Sequence, residues 1–438
     1  MANIYNYFKK ASLKISNLAK EPLTFTYLLA VILLAIPLKY IFGSIASIVF
    51  LVACCAALGR AKFTFNKALL LPVLFYGIML LSLFWTRDQS ATISGLQKEL
   101  LFLSTPLCFL FIPILSKIDN QKVFRIFSFG MAGYAVYYFS KAAIAYIQTG
   151  NKNVFFYHEL VTLDLNAIYV SVFASFALFY FIAIHKRTTV ENTAVLILSV
   201  FIFLLSSKSI IFIDLLLIIC FYTFFSHTQK GVKAVTILSI SAFLLFSIVF
   251  VKQIRERFLI EYETAFVDNT LNEDFVDGEV YNMSLSQAWN NEKFQQNHFL
   301  PGTALRVYQL RIFTEMFQQQ NILFTGFGLE ASQDQIRKKS NEHGLYPGYG
   351  DFNFHNQYLQ TFAELGLFGF LTLIAMLFFN IKKAISDENF LHIVFSLMMI
   401  VLFLTESFFC RQRGIVFFIT LYCMFNVIQK PEGRLKKI

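Results

Sequence analysis

The chain has 438 residues, of which 57% are hydrophobic and 15% charged, with 54 phenylalanines. A soluble domain carries closer to a quarter charged residues, so this composition excludes an ordinary water-soluble fold. The formal net charge of +10 does not mark a nucleic-acid binder either, because the longest polar stretch, Lys252 to Asp351, holds nine Lys and Arg against fourteen Asp and Glu.

Lys9, Lys10, Lys14 and Lys20 precede the first apolar run, and no small-residue cleavage site follows it. The first run is therefore expected to be an uncleaved helix rather than a signal peptide. Apolar runs follow at 24–41, 43–59, 68–85, 100–116, 126–148, 166–185, 193–207, 209–226, 234–251, 357–380, 390–408 and 412–428. Their lengths, about 17 to 20 residues in most cases, suit helices that cross a bilayer. The pattern predicts an all-α, polytopic integral membrane protein of about twelve transmembrane helices. Nine helices would occupy 1–251, a large polar loop 252–356, and three helices with a tail 357–438.

Orientation follows from Lys and Arg. With the N-terminus in the cytoplasm, the inner loops collect Lys9/Lys10, Arg60/Lys62/Lys67, Lys117/Lys122/Arg125, Lys186/Arg187, Lys230/Lys233, Lys382/Lys383 and the tail Lys430/Arg434/Lys436/Lys437. The outer short loops receive fewer: Arg87/Lys98, Lys152, Lys208 and Arg411/Arg413. Both termini are then cytoplasmic, and 252–356 lies outside, which in a Gram-negative inner membrane means the periplasm. Within the loop, 261–279 is acidic and predicts an irregular or mobile arm. Residues 303–320 carry apolar positions at helical spacing with Thr303 as N-cap, predicting an amphipathic helix near the bilayer surface. Thr325-Gly326-Phe327-Gly328 predicts a turn, 330–342 another helix, and Gly344–Gly350 with Pro347 a loop. Six cysteines, Cys54, Cys55, Cys108, Cys220, Cys410 and Cys423, lie in or at the ends of apolar runs without a CxxC pair, so neither a disulfide framework nor a zinc site is expected.

Several separate segments bring cationic or titratable side chains to the outer face. Lys208 stands between two spans, Arg306 and Arg311 lie on the loop helix, His355 opens the tenth span, and Arg411 and Arg413 follow Glu406. Guanidinium forks match phosphate oxygens, and an imidazole can take the proton of an attacking hydroxyl near neutral pH. Each residue has a plainer reading. Lys208 can snorkel at a span end, Arg306 can be the solvated face of an amphipathic helix, His355 can cap or pack, and Arg411 and Arg413 can anchor the interface. Asp214 falls inside the eighth span, where an acid needs a partner or a function. Gly366 and Gly369 can serve close helix packing.

These segments, in this order, resemble the O-antigen ligase and polymerase-like membrane glycosyltransferases. The resemblance runs through Ser206-Ser207-Lys208, Leu305-Arg306-Val307-Tyr308, Gly326-Phe327-Gly328, Phe354-His355-Asn356-Gln357-Tyr358-Leu359-Gln360, Glu364-Leu365-Gly366-Leu367-Phe368-Gly369 and Thr405-Glu406-Ser407 with Arg411-Gln412-Arg413-Gly414, and covers roughly 195–415. It implies a metal- and cofactor-independent enzyme that takes a glycan from an undecaprenyl-diphosphate carrier and passes it to a hydroxyl of a lipid A-core sugar or another glycan. By the same resemblance Arg306 binds diphosphate and His355 activates or orients the acceptor; the other cations on that face, Lys208, Arg311 and Arg411, are expected as further diphosphate contacts, with Glu406, Asn356 and Gln360 in support. Lys208 stands where the family has another arginine, which keeps the charge but loses the fork. Leu310 and Arg311 stand where the family commonly has a tryptophan. A repeat-unit polymerase and a protein O-glycosyltransferase share these motifs. A transporter for a lipid-linked glycan is the alternative from another class, and it would show charges through the bilayer and helices broken near the midplane.

Overall fold

The computed structural model describes residues 21–57, 66–112, 115–162, 164–226, 231, 238, 251–268 and 280–427. Helices stand on eleven of the twelve apolar runs. The ninth run, 234–251, except for residues 238 and 251, and the basic clusters Lys9/Lys10, Arg60/Lys62, Lys230/Lys233 and Lys430 to Lys437 lie outside the described residues. Four helices are long and apolar enough to cross a membrane: Tyr40–Ala57, Lys67–Phe84, Lys208–Phe225 and Gln357–Ser386. Five further apolar helices, Pro22–Ala35, Ala167–Ala183, Thr189–Leu205, Phe390–Leu402 and Gln412–Val427, are shorter. The helix Lys117–Thr149 runs for 33 residues, opened by a Ser116–Asp119 capping box and closed by Gly150 at φ +67°.

The apolar stretch 193–226 divides at one backbone feature. A Thr188–Glu191 capping box opens Thr189–Leu205, Ser206 turns left-handed at φ +49°, and Lys208 starts the next helix. Asp214 on that helix is buried and accepts from the Ser175 hydroxyl of Ala167–Ala183, the partner an acid inside a span needs. The many phenylalanines fill one large core between these helices, with ring pairs such as Phe102–Phe409 at 5.0 Å and Phe409–Phe418 at 4.9 Å.

The loop forms a second, separate core of Met283, Phe294, Tyr308, Ile312, Phe327, Ile336, Tyr349 and Phe354 among others. Helix Gly302–Gln319 turns Ala304, Tyr308, Gln309, Ile312 and Met316 into that core. Its apolar stripe is thus spent on the loop's own packing, where the sequence suggested a bilayer surface. It begins at Gly302 after Pro301, without the side-chain cap expected from Thr303. Helix Ser332–Glu342 and the 3-10 turn Pro347–Asp351 follow, and a parallel pairing of Tyr281–Asn282 with His298–Phe299 is the only strand structure among the described residues. Of the acidic stretch 261–279, residues up to Ala265 belong to helix Lys252–Ala265, and 269–279 lie outside the described residues.

The helix Gln357–Ser386 is broken at Gly366, where φ is +63° and ψ −160°. The carbonyls freed by the break are taken up by the glycine turn. Phe327 N–H donates to Ala363 O at 2.7 Å and Gly328 N–H to Glu364 O at 2.9 Å, while Leu367 N–H donates back to Leu323 O at 2.7 Å. Gly326 and Gly366 face backbone across this seam, each too close for a Cβ. Gly326, expected in a turn, and Gly366, which the sequence allows as a packing residue, therefore join the loop to the helix. After the break, 367–386 is a stretch of twenty residues, about 30 Å as a helix and so one bilayer crossing.

Candidate functional site

The site is built on the turn between Phe390–Leu402 and Gln412–Val427. This turn is pinned from four directions. Gln357 accepts from Phe409 N–H at 2.8 Å and donates its own N–H to Phe403 O at 2.8 Å. Asn356 N–H donates to the Ser407 hydroxyl at 3.1 Å, and Tyr169 donates to Phe408 O at 3.2 Å with its ring stacked on Phe408 at 4.8 Å. Arg306 Nε donates to Thr405 O at 3.1 Å. The turn holds Glu406 buried, at 5% exposure.

Arg306 and His355 meet at this carboxylate. Arg306 Nη2 lies 3.4 Å from Glu406 Oε1, and His355 Nδ1 lies 3.6 Å from Glu406 Oε2. A buried carboxylate is costly without such partners. Arg306 also donates through Nη1 to Gly302 O at 3.0 Å. Three of its five N–H donors are thus used and two remain for a ligand. His355 sits at φ +46°, a left-handed conformation that a non-glycine residue adopts at some cost, held by its N–H donating to Asn353 Oδ1 at 2.9 Å. Its Nδ1 is buried without a hydrogen-bond partner while the side chain keeps 24% exposure, so the exposed part is the rest of the ring. An imidazole with a carboxylate near one nitrogen and the rest of the ring open can take a proton from a hydroxyl brought to it.

Beside this group lies an open cavity of about 470 Å³, lined by Tyr40, Lys98, Glu330, Ser332, Gln333, Asp351, Asn353, Gln360, Glu364, Cys410, Arg411 and Gln412. Lys98 is ion-paired with Glu330 and donates to Cys410 O at 3.3 Å. Glu364 accepts from Gln360 at 2.5 Å and Ser332 at 3.3 Å. Beneath the cavity floor, Glu99 is buried with Oε2 unpartnered, and burial pushes its carboxyl well above the usual range against the pull of Lys98.

The structure brings together some of the residues singled out from the sequence and separates others. Arg306, Glu406 and His355 form one group. Asn356 caps Gln357–Ser386 by accepting from Leu359 N–H at 3.0 Å, and donates to Leu404 O at 3.2 Å. Gln360 lines the cavity and accepts from Phe354 N–H at 3.3 Å. Arg411 is exposed on the cavity wall and, among the described residues, has no side-chain hydrogen bond or ion pair. Arg311 points elsewhere: it holds Glu315 at 2.8 Å and the carbonyl of Asn291 at 2.7 Å, with 11% of its side chain exposed. Five residues along a helix put it about 140° from Arg306. Lys208 opens its helix half-buried and does not line the cavity. Arg413 is buried, bound to Asp164 O at 2.7 Å and Leu38 O at 3.0 Å, with Tyr40 4.0 Å below. Lys98, Glu99, Glu330 and the cavity role of Glu364 escape sequence reasoning, because each alone reads as a charge at a helix end. Among the described residues, no three His, Cys, Asp or Glu side chains are grouped to hold a metal ion.

Residues 193–374 match the family model described as O-antigen ligase. The match contains Lys208, Arg306 and His355, ends before Glu406, and bears out over that stretch the resemblance read from the motifs. Over that stretch the chain is similar to the O-antigen ligases, which supports a ligase- or polymerase-type function at the coarse level. No curated protein matches the chain.

Proposed function

We propose that this O-antigen ligase-like chain is a glycosyltransferase of the inner membrane, moving a glycan from an undecaprenyl-diphosphate carrier to a lipid A-core sugar hydroxyl on the periplasmic side. The observation that carries the reading is the meeting of Arg306 and His355 at the buried Glu406. The acceptor oxygen attacks the anomeric carbon and the bond to the carrier phosphate breaks, its electron pair leaving on the diphosphate. His355 takes the hydroxyl proton, and Glu406 stabilises the imidazolium that forms. The free donors of Arg306, with Arg411 exposed nearby, meet the charge that develops on the leaving diphosphate. Such fixed cations act without bond-making of their own, and a lipid carrier reaches them laterally from the bilayer.

A repeat-unit polymerase uses the same residues with another acceptor. The transporter alternative is less well supported, because the break at Gly366 leaves a full crossing length beyond it instead of falling near the midplane. The test is a gel of surface glycans from a strain lacking the gene, complemented with wild type, Arg306→Ala or His355→Ala. Carrier-linked polymer that accumulates with none on lipid A-core supports the ligase. Single repeats on lipid A-core mean a polymerase. Full transfer by both variants at normal membrane levels sinks the site assignment.

A further inference from the structure

We infer that the loop is seated in the bilayer surface: an aromatic edge along helix Gly302–Gln319, with the corner Leu323–Phe324, lies among the acyl chains of the surrounding lipid, and this contact sets the depth at which Arg306 stands. Nothing in this seating needs the transferase reading. The helix has a second apolar edge beside the stripe spent on the loop's core. Leu310, Phe313 and Phe317 follow Arg306 at spacings of four, seven and eleven residues, which puts all four within about 60° of one another around the helix. The core residues Tyr308, Gln309, Ile312 and Met316 occupy another face, centred roughly 120° away. Leu310 and Phe317 stay 42% and 39% exposed although both are large and apolar.

This edge continues into the surface of a span. Phe313 and Phe317 each pack on Phe362 at 5.8 Å, and Phe362 packs at 5.8 Å on Phe370, inside the crossing 367–386. Leu323 O accepts from the N–H of Leu367, the first residue of that crossing, at 2.7 Å, and Phe324 packs at 6.1 Å on Phe368. Phe324 and Phe368 are 52% and 58% exposed, so an open ring of the loop and an open ring of the crossing form one surface. A second span gives the same level independently. Lys67–Phe84 is long and apolar enough to cross, and Trp85 at its end donates its indole N–H to Thr325 O at 2.7 Å. Arg87 N–H donates to Phe327 O at 3.0 Å. Tryptophan is enriched where a bilayer meets water. The segment Leu323–Phe327 is thus tied to the ends of two crossings, the level at which hydrocarbon begins, and large apolar groups left open there meet acyl chains. An amphipathic helix lies with its apolar face about 5–10 Å into the boundary of headgroups and chains. Arg306 shares the edge and is then held at the height of the lipid headgroups.

The test places the full chain in vesicles of pure phosphatidylcholine, which hold no glycan carrier, with acyl chains either plain or brominated, since bromine quenches a tryptophan that it touches. The chain's two tryptophans are Trp85 and Trp289. Trp289→Phe serves as the parent, Phe317→Trp, Phe324→Trp and Leu310→Trp are each added to it, and the intensity gained over the parent is read. Trp289 itself, read as wild type less the parent, is the reference, because its neighbour Ala288 meets Arg311, which points away from the edge. All three replaced side chains are exposed, so a larger ring is accommodated, and any one of the three reads the contact should another misfold. The added tryptophans should lose about half or more of their intensity in lipid brominated near the glycerol end of its chains, and less in lipid brominated at the chain tips, while Trp289 loses under about a tenth. Quenching by aqueous acrylamide in place of bromolipid would mean that the edge faces water, and quenching by neither that a second copy covers it; each overturns the seating. Quenching of Trp289 equal to that of the added tryptophans also overturns it, since the contact is then not particular to this edge. Leu310 stands one turn from Arg306, so a dark Phe317→Trp beside an unquenched Leu310→Trp would refute the depth assigned to Arg306.

Discussion

Replacing Gly366 by alanine tests the seam between loop and helix. At φ +63° and ψ −160° the backbone occupies a region that glycine alone enters freely, and another residue there costs roughly 1–3 kcal/mol. The new Cβ would stand 2.3 Å from the carbonyl carbon and oxygen of Phe324 and 2.6 Å from the Thr325 nitrogen. These are backbone atoms, tied down by the 2.7 Å bonds from Leu367 to Leu323 and from Phe327 to Ala363. Relieving the clash moves the glycine turn, and overpacking of this kind adds about 1–3 kcal/mol. The expected loss is about 2–6 kcal/mol, unless the seam opens and the loop detaches at lower cost. Thermal unfolding of the purified chain in detergent reads it, with Gly77→Ala as the control. Gly77 lies inside Lys67–Leu81 with nothing within 4 Å of an added Cβ, so alanine there gains up to about 1 kcal/mol of helix propensity. The midpoint of Gly366→Ala should fall by several degrees and glycan transfer with it. Equal midpoints for the two variants would refute the argument.

Glu406→Gln keeps the shape of the bridge between Arg306 and His355 and removes its charge, so transfer should fall about 100-fold or more in a steady-state assay with the fold intact. Transfer within a fewfold of wild type would remove Glu406 from the mechanism. Arg413→Lys cannot reach Asp164 O, Asp164 Oδ2 and Leu38 O together, and a loss of about 1–3 kcal/mol should appear as a lower unfolding midpoint. An unchanged midpoint would show that the anchor contributes little. Burial holds His343 below the ordinary histidine range, opposed by Glu315 and assisted by Arg311 and Lys339, with Tyr308 as its other partner. A depressed histidine stays neutral in the fold while the unfolded chain takes the proton, so stability is complete above about pH 6.5 and is lost as pH falls below it. Between pH 7.5 and 5 the midpoint of wild type should shift downward relative to that of His343→Gln, since the contributions of His298, also held down by burial, and of the raised Glu99 carboxyl, which acts in the opposite sense, are common to both. The same slope in the variant would rule His343 out.

Most of the helices are legible because a bilayer imposes a length on apolar runs that few other constraints imitate. The interruption at Ser206-Ser207-Lys208 is legible for a similar reason, being too polar to cross, whereas Glu406 stands inside the apolar run 390–408 and only the structure ends that helix at Leu402. The meeting of Arg306, Glu406 and His355 lies at the edge of what a sequence discloses, since each segment can be assigned to one face but not to one point. Arg311 shows the limit, because periodicity marks two basic positions on a helix without saying which is turned towards Ala288 and Asn291. The cavity acids were beyond reach for another reason. Lys98 and Glu330 stand 232 residues apart, and the burial that gives Glu99 its character comes from packing across that separation. The two glycines of the seam likewise acquire their meaning only once a left-handed backbone is seen at both.

The break at Gly366 also sets an order in time. A ribosome delivers Phe327 and Gly328 36 residues before the carbonyls of Ala363 and Glu364 that they cap. Until Phe327 and Gly328 are in place, the segment leading to Gly366 carries open carbonyls into the edge of the hydrocarbon, which has no water to satisfy them. The loop therefore takes shape before the helix behind it is seated. Glu406 arrives later still, on the turn between the last two helices described. A nascent chain thus presents no finished site until Phe390–Leu402 and Gln412–Val427 are both in the membrane, so the site is completed late in insertion.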